Sequence, residues 1–381
     1  LGSQLMSAPI TEKPASKKPA AAKPAAASAI VNTLTAGRLP KWAPWAILAG
    51  SWAVVSAVVG IVGAAAGATE FNIALALFLG TVLYVVLVTA ISRLVEGGRQ
   101  AKDRMVTALV ISAFVIALLP LISLGFTVVI NGLPRFDLEF FNSSQRNVVG
   151  EGGGALHAII GTLLVTGMAA LISIPVGLLT AIYLVEYGRG PFAKAITFLV
   201  DVMTGIPSIV AGLFAYALFA LLFSDPGIRF GFGGSIALSL LMIPVVVRSS
   251  EEMLKIVPNE LREASYALGV PKWLTILKVV LPTSIAGIVT GVMLSIARVI
   301  GETAPLLIIA GFTASMNYDL FANRMMTLPV FVYTQYANPG SDVAVYLDRA
   351  WTGALVLILI VMALNLLGRL IAKIFAPKLG R

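Results

Sequence analysis

The chain has 381 residues, 58% of them hydrophobic, and its 27 Lys and Arg with 18 Asp and Glu make up only 12%, against about 25% charge in an ordinary soluble domain. That imbalance excludes a water-soluble globule. Zero Cys and one His exclude disulfides, thiol catalysis and the usual Cys or His zinc sites, so no metal or cofactor is expected.

Residues 1–42 are rich in Ala, Pro and Lys and hold too few large apolar side chains to bury a core; they read as a flexible tail. The five residues ahead of Met6 read as an added leader and carry no weight. The first apolar run is long enough to span, so no cleaved signal peptide is expected. Apolar runs then fall at 45–66, 71–92, 105–130, 155–184, 196–223, 233–249, 283–310 and 350–372. Each approaches or exceeds the roughly 20 residues that cross a bilayer as a helix, which predicts eight spans in an all-α membrane protein. The sixth is the shortest, because Gly231, Gly233 and Gly234 precede it and Pro244 interrupts it.

Charge tests that count, since Lys and Arg concentrate on the cytoplasmic side. With the tail inside, inner segments hold 21 of the 27 basic residues; outer segments hold five, Arg135, Arg146, Arg229, Arg324 and Arg349, and Arg298 falls within span seven. Eight spans with both termini cytoplasmic follow. The +9 net charge thus belongs to inner loops facing membrane lipid, and no nucleic-acid partner is needed.

About 30 residues separate spans six and seven on the inner face. Asn259 can cap a short helix of about 260–268 whose first turn carries Glu260 and Glu263, with Gly269 and Pro271 as the stop. Residues 272–278 have amphipathic spacing and are expected to lie along the membrane surface until Pro282 opens the next span. Glu263-Ala264-Ser265, three residues, Gly269, nine residues, then Val279-Val280-Leu281-Pro282 resembles the EAA loop of ABC importer permeases, with Ser in place of the second Ala and Val in place of Ile. The resemblance implies a coupling helix that docks on an ATPase subunit through Glu263, Ala264, Ser265, Gly269, Leu281 and Pro282. The chain itself carries no Gly-x-x-x-x-Gly-Lys-Ser/Thr phosphate loop, so it is not expected to be an enzyme.

Span seven contains Ala297-Arg298-Val299-Ile300-Gly301-Glu302-Thr303-Ala304-Pro305-Leu306-Leu307. Arg298 and Glu302 are spaced i, i+4 and would share a helical face. A charge at the bilayer centre costs about 2.5–3.5 kcal/mol on insertion scales, so it normally faces a bundle interior or a watery path. A guanidinium fork suits an oxyanion, and a neighbouring carboxylate could hold the fork when the site is empty; a permanent ion pair to a neighbour explains the same residues. This run, together with Gly205-Ile206-Pro207-Ser208-Ile209-Val210-Ala211-Gly212-Leu213-Phe214, resembles the phosphate-specific ABC importer permeases of PstA type. That implies a MetI-like core, transport of inorganic phosphate, and three partners: a sister permease, an ATPase dimer and an extracytoplasmic phosphate-binding protein. It also implies a pathway at Arg298, Glu302 and Thr303. The resemblance runs from about span three, which suggests a tail (1–42), an additional hairpin with a basic loop (43–104) and a permease domain (105–381) with its coupling loop at 250–282. The usual permease has six spans, so spans one and two are additional here; Gly63-Ala64-Ala65-Ala66-Gly67 suits helix packing.

Arg248 closes span six at its inner end, where it could receive a departing anion or snorkel to the interface. Asp201 needs a basic partner that sequence does not name, and His157 is expected at the surface or in packing. Pro175, Pro207, Pro244 and Pro305 interrupt core spans as kinks or hinges. The acidic outer loops, 131–154 and 311–349, are the surface large enough to meet an external protein, and an unliganded outer cap explains them equally. Two rivals stay open: a secondary anion transporter and a membrane scaffold or sensor. Within the importer class, phosphonate, molybdate or sulfate could replace phosphate.

Overall fold

The computed structural model describes residues 39–66 and 71–375. The predicted tail lies almost wholly outside these residues, as do Gly67, Lys378 and Arg381. Every regular element among the described residues is helical. Two compact units divide the chain, Leu1–Pro120 and Leu121–Arg381.

The first unit holds α1 (Ala43–Ala65), α2 (Ile73–Val95) and the start of α3 (Gly98–Gly132). Helices α1 and α2 form an antiparallel hairpin. A Cβ at Gly80 would meet Trp52 Cδ1 at 2.5 Å, so only glycine lets the indole lie against α2, where its Nε1 donates to Thr81 Oγ1 at 3.2 Å. Beyond the C-terminus of α2, Glu96 gathers the hairpin's end. Its carboxylate accepts from Leu39 N at 2.7 Å, Ser92 Oγ at 2.6 Å and both Nε and Nη2 of Arg104 at 2.5 and 2.7 Å. The Arg104 guanidinium, helped by these other donors, holds the Glu96 carboxyl down from its ordinary 4.5 to about 2. Because the folded value is depressed, the stabilisation is present in full above 4.5 and has gone once pH falls through about 2. Protection of the Leu39 amide from hydrogen exchange should decline across that window, and Glu96→Gln should lower it already at neutral pH. Equal protection in the variant would show that the clamp does not hold the residues before α1.

The second unit continues with α4 (Leu138–Asn142), α5 (Leu156–Ile182, extended by a π-turn Tyr183–Tyr187), α6 (Pro191–Thr204), α7 (Ser208–Phe223), α8 (Gly231–Ile256) and α9 (Asn259–Ala267). It ends with α10 (Lys272–Thr275, followed by a π-turn Ile276–Val280), α11 (Leu281–Val299), α12 (Ala304–Ile309), α13 (Leu328–Ala337) and α14 (Val343–Phe375). Its centre is the pairing of α5 with α8. Ser235 Oγ donates to Val165 O at 3.0 Å and Ser239 Oγ to Ala169 O at 3.4 Å, while a Cβ at Gly177 would strike Val246 at 2.7 Å. These contacts climb together along both helices, so α5 and α8 are parallel. Small residues permit the close approach, as membrane interfaces favour.

Parallel neighbours require the chain between them to return across the same thickness. Predicted span five does so, but not as one helix: α6 and α7 meet at 110°. Pro207 biases Ile206 away from helical geometry and lacks the amide that would continue the ladder. Among the described residues seven unbroken helices are long and apolar enough to cross a membrane, and the count is eight if the bent pair is one span. The predicted eight is therefore reached only with span five creased in its middle. Pro175 and Pro244 are carried inside α5 and α8 without a break, so proline alone does not decide where a span folds. Outward faces are apolar, with Leu94, Leu171, Leu221 and Phe198 widely exposed, as lipid contact demands.

The surface segment predicted for 272–278 differs. Lys272 to Val299 is one helical run, and the π-turn Ile276–Val280 widens the ladder just ahead of Pro282, which relieves the clash of its ring with the preceding turn.

Candidate functional site

The loop predicted for the inner face folds from its own signals. Helix α9 begins at Asn259, one residue earlier than predicted. Pro258 rather than Asn259 is the N-cap, and Asn259 Oδ1 instead accepts from Arg262 Nη1 at 3.3 Å. At the other end Gly269 has φ +76°. Its amide donates to Tyr266 O at 2.9 Å and that of Val270 to Ser265 O at 3.2 Å, which is the paired closure that a glycine stop provides. Ser265 is buried and shares a 2.8 Å hydrogen bond with Thr275, so it ties α9 to α10 rather than facing outward. Glu263, Ala264 and Gly269 are exposed, Pro282 is exposed and Leu281 half-buried. Leu261, Tyr266 and Leu268 add an apolar surface, with Leu268 83% exposed.

Sequence reading missed what fastens this loop. Arg262 donates through Nη2 to Leu254 O at 3.0 Å, through Nη1 to Val257 O at 2.6 Å and through Nε to Glu186 Oε1 at 3.0 Å. One guanidinium thus satisfies orphan carbonyls at the end of α8 and pairs with a carboxylate following α5, where the helix dipole also favours a cation. Lys272 donates to Glu186 O and stacks over Tyr187, 4.8 Å from its ring centroid. The loop is bolted to the two central helices.

A second network lies beside it. Arg248 pairs with Asp201 of α6 and, at 2.9 Å, with Glu251, which also takes Lys255 at 2.6 Å. Asp201 thereby acquires the partner that sequence left unnamed. Arg248 is bound by two carboxylates, so an anion would have to displace one of them.

The predicted i, i+4 pairing of Arg298 with Glu302 is corrected. Helix α11 ends at Val299 and α12 starts at Ala304, so the two do not share a helix. No ion pair joins them among the described residues. The cause is Pro305: inside a continuous helix it would remove an amide and crowd the carbonyl of Gly301, whereas near the first turn of a new helix it is tolerated. Arg298 is exposed, on an uncovered stripe of α11 with Thr283, Thr290 and Leu294; Glu302 and Thr303 are half-buried in the break. Behind the break, a Cβ at Gly212 would lie 2.5 Å from Pro305 Cα. The two sequence runs singled out above, around Gly212 and around Pro305, are therefore packed against each other. Gly212→Ala should push α7 off α12 and lower yield of assembled protein, with thermal stability of the purified assembly as the check; unchanged melting would mean that this contact carries no load.

Residues 173–381 match the family model described as the binding-protein-dependent transport system inner membrane component. The chain is 47% identical over 275 residues to the phosphate transport system permease protein PstA of Mycobacterium leprae, covering 71% of this chain and 88% of the relative. It is 40% identical over 281 residues to PstA of Pasteurella multocida, covering 74% and 96%. The chain belongs to the PstA family of phosphate transport permeases. A solved bacterial alginate ABC transporter, in complex with an alginate pentasaccharide-bound periplasmic protein, has a chain 13% identical with a TM-score of 0.51, covering 70% of this chain and 93% of that one. At that identity it shows the fold alone. This PstA-type chain is a multi-pass inner-membrane permease with the all-helical importer architecture that its motifs implied.

Other predicted residues of the PstA-type chain fall as follows. His157 is buried against Phe331, ring centroids 5.8 Å apart, a packing role as expected. Of the acids predicted on the outer side, Asp137 caps α4 at Phe140 N, Glu139 accepts from Gly153 N and Asp319 from Phe321 N; all three serve their own loops.

Proposed function

We propose that this chain is one membrane-spanning half of an ATP-driven importer of inorganic phosphate. The observation that carries the reading is 47% identity to a phosphate transport permease over most of both chains. The geometry supports it in two places. Arg298 sits uncovered on α11, where a sister permease would close a passage over it, with Glu302 and Thr303 at the adjoining break. Helix α9, exposed in its apolar residues and fastened through Arg262, suits a lever pressed by an ATPase dimer. An extracytoplasmic binding protein would deliver phosphate to the opposite side. Both termini and residues 250–282 are assigned to the cytoplasm, and residues 43–104 to a hairpin added to the permease domain.

The test is uptake of labelled phosphate into vesicles holding this chain, a sister permease, the ATPase and loaded binding protein. Uptake should require ATP; transport that ran on an ion gradient without ATP, or that moved sulfate or molybdate and not phosphate, would overturn the assignment. Because the sequence has no Cys, a single Leu268→Cys offers a clean topology check. It should react with an impermeant thiol reagent only from the cytoplasmic side and be shielded by the ATPase. Labelling from outside would reverse the orientation.

A further inference from the structure

Two of the five basic residues assigned to the outer side come together at the far end of α12. Arg229 precedes α8, and Arg324 lies in the segment between α12 and α13. Their chain neighbours are pinned to successive carbonyls closing α12: Phe230 N donates to Ile309 O at 2.9 Å and Met325 N to Ala310 O at 3.1 Å. Arg229 Nε itself donates to Ile308 O at 3.1 Å, and Asn317 Nδ2 braces the other strand at Arg324 O, 3.0 Å. Between the two arginines sits Gly311, φ +75°. A Cβ there would lie 3.0 Å from Arg229 Cδ and 3.3 Å from Arg324 Cγ. Glycine is thus required both by the backbone and by the two side chains that close over it.

The result is a cavity of about 200 Å³ walled by Arg229, Arg324, Gly311, Leu307 and Phe312. Both arginines line it, their stems meeting at Gly311, yet among the described residues neither has a carboxylate within 4.0 Å. The acids nearest in sequence are turned to loop amides, Asp225 to Gly227 N and Asp319 to Phe321 N. With its Nε spent on a carbonyl, Arg229 still presents both terminal nitrogens, and the fork of Arg324 is free. Adjacent like charges repel, and such a pair is relieved by an anion able to accept from both forks.

We propose that Arg229 and Arg324 form a binding site for one small tetrahedral oxyanion on the outer side; its assignment to phosphate rests on the function proposed above. The six residues of α12 separate this cavity from Glu302 and Thr303 by about 9 Å at 1.5 Å per residue. The site is therefore a staging post one short step from the break beside Arg298.

The complete transporter in lipid nanodiscs, without binding protein, tests this by arginine modification with phenylglyoxal read at each site by mass spectrometry. Saturating inorganic phosphate should slow modification of Arg229 and Arg324 by about tenfold, and chloride at equal ionic strength should not. Sulfate protecting in place of phosphate would support the oxyanion site and overturn phosphate as its ligand. Rates indifferent to every oxyanion would overturn the site. Protection by unloaded binding protein alone would replace it with a docking contact for a protein carboxylate. In vesicles, the double variant R229Q/R324Q should lower phosphate uptake about tenfold at limiting loaded binding protein. Arg229→Lys with Arg324→Lys, which keeps the charge but loses the forks, should recover part of that loss; full recovery by lysine would show that charge alone suffices and overturn recognition by the two forks. Wild-type vesicles that fail to import phosphate, while phosphate still protects both arginines, would retain the site and remove the importer reading.

Discussion

Arg262→Gln is expected to sever ATP hydrolysis from transport. The substitution strips Leu254 O and Val257 O of their donor and leaves Glu186, whose side chain is 5% exposed, without its partner. Breaking a buried pair by removing one member costs about 3–5 kcal/mol, a cost that the loop can escape by swinging α9 away from α8. Phosphate uptake should fall by more than about tenfold, the equivalent of 1.4 kcal/mol, while the ATPase continues to turn over without stimulation by loaded binding protein. Adding Glu186→Gln should restore part of the uptake, since no unpaired carboxylate is then left inside. If uptake and stimulated hydrolysis instead fell in strict proportion in the single variant, the role of Arg262 would be stability and not transmission.

Arg298→Gln should have the other large effect. Hydrogen bonds to a charged group are worth about 1.5–3 kcal/mol, so losing the guanidinium from a passage should slow phosphate uptake roughly tenfold to a hundredfold. Glu302→Gln should cost less, because the structure places no ion pair between the two. Uptake by Arg298→Gln equal to wild type, at normal assembly, would remove this residue from the passage.

The pattern of what could be read in advance follows the range of each interaction. Apolar runs of membrane length are local or additive properties, so the long membrane helices and the patterned loop after α8 were legible. Gly269 was legible too, because a helix stop is written within four residues. The crease at Gly205–Pro207 was only half legible: proline marked the place, but Pro175 and Pro244 carry the same mark and lie inside unbroken helices. The i, i+4 reading of Arg298 and Glu302 failed because Pro305, three residues on, restarts the helix and takes Glu302 out of register. Pairings such as Arg262 with Glu186, 76 residues apart, or Arg248 with Asp201, 47 apart, leave no periodic trace. They had to be seen folded, and so did the meeting of Arg229 and Arg324.

The bare stripe on α11 bears on how such a chain survives before it finds company. A guanidinium facing hydrocarbon costs about 2.5–3.5 kcal/mol on insertion scales, and Arg298 on its own has nothing to offset that. A copy made in excess of its counterpart is an unfinished object that the bilayer tolerates poorly. In the assembly proposed above, balanced synthesis of the two halves, or prompt proteolysis of the surplus, would follow from the position of a single side chain.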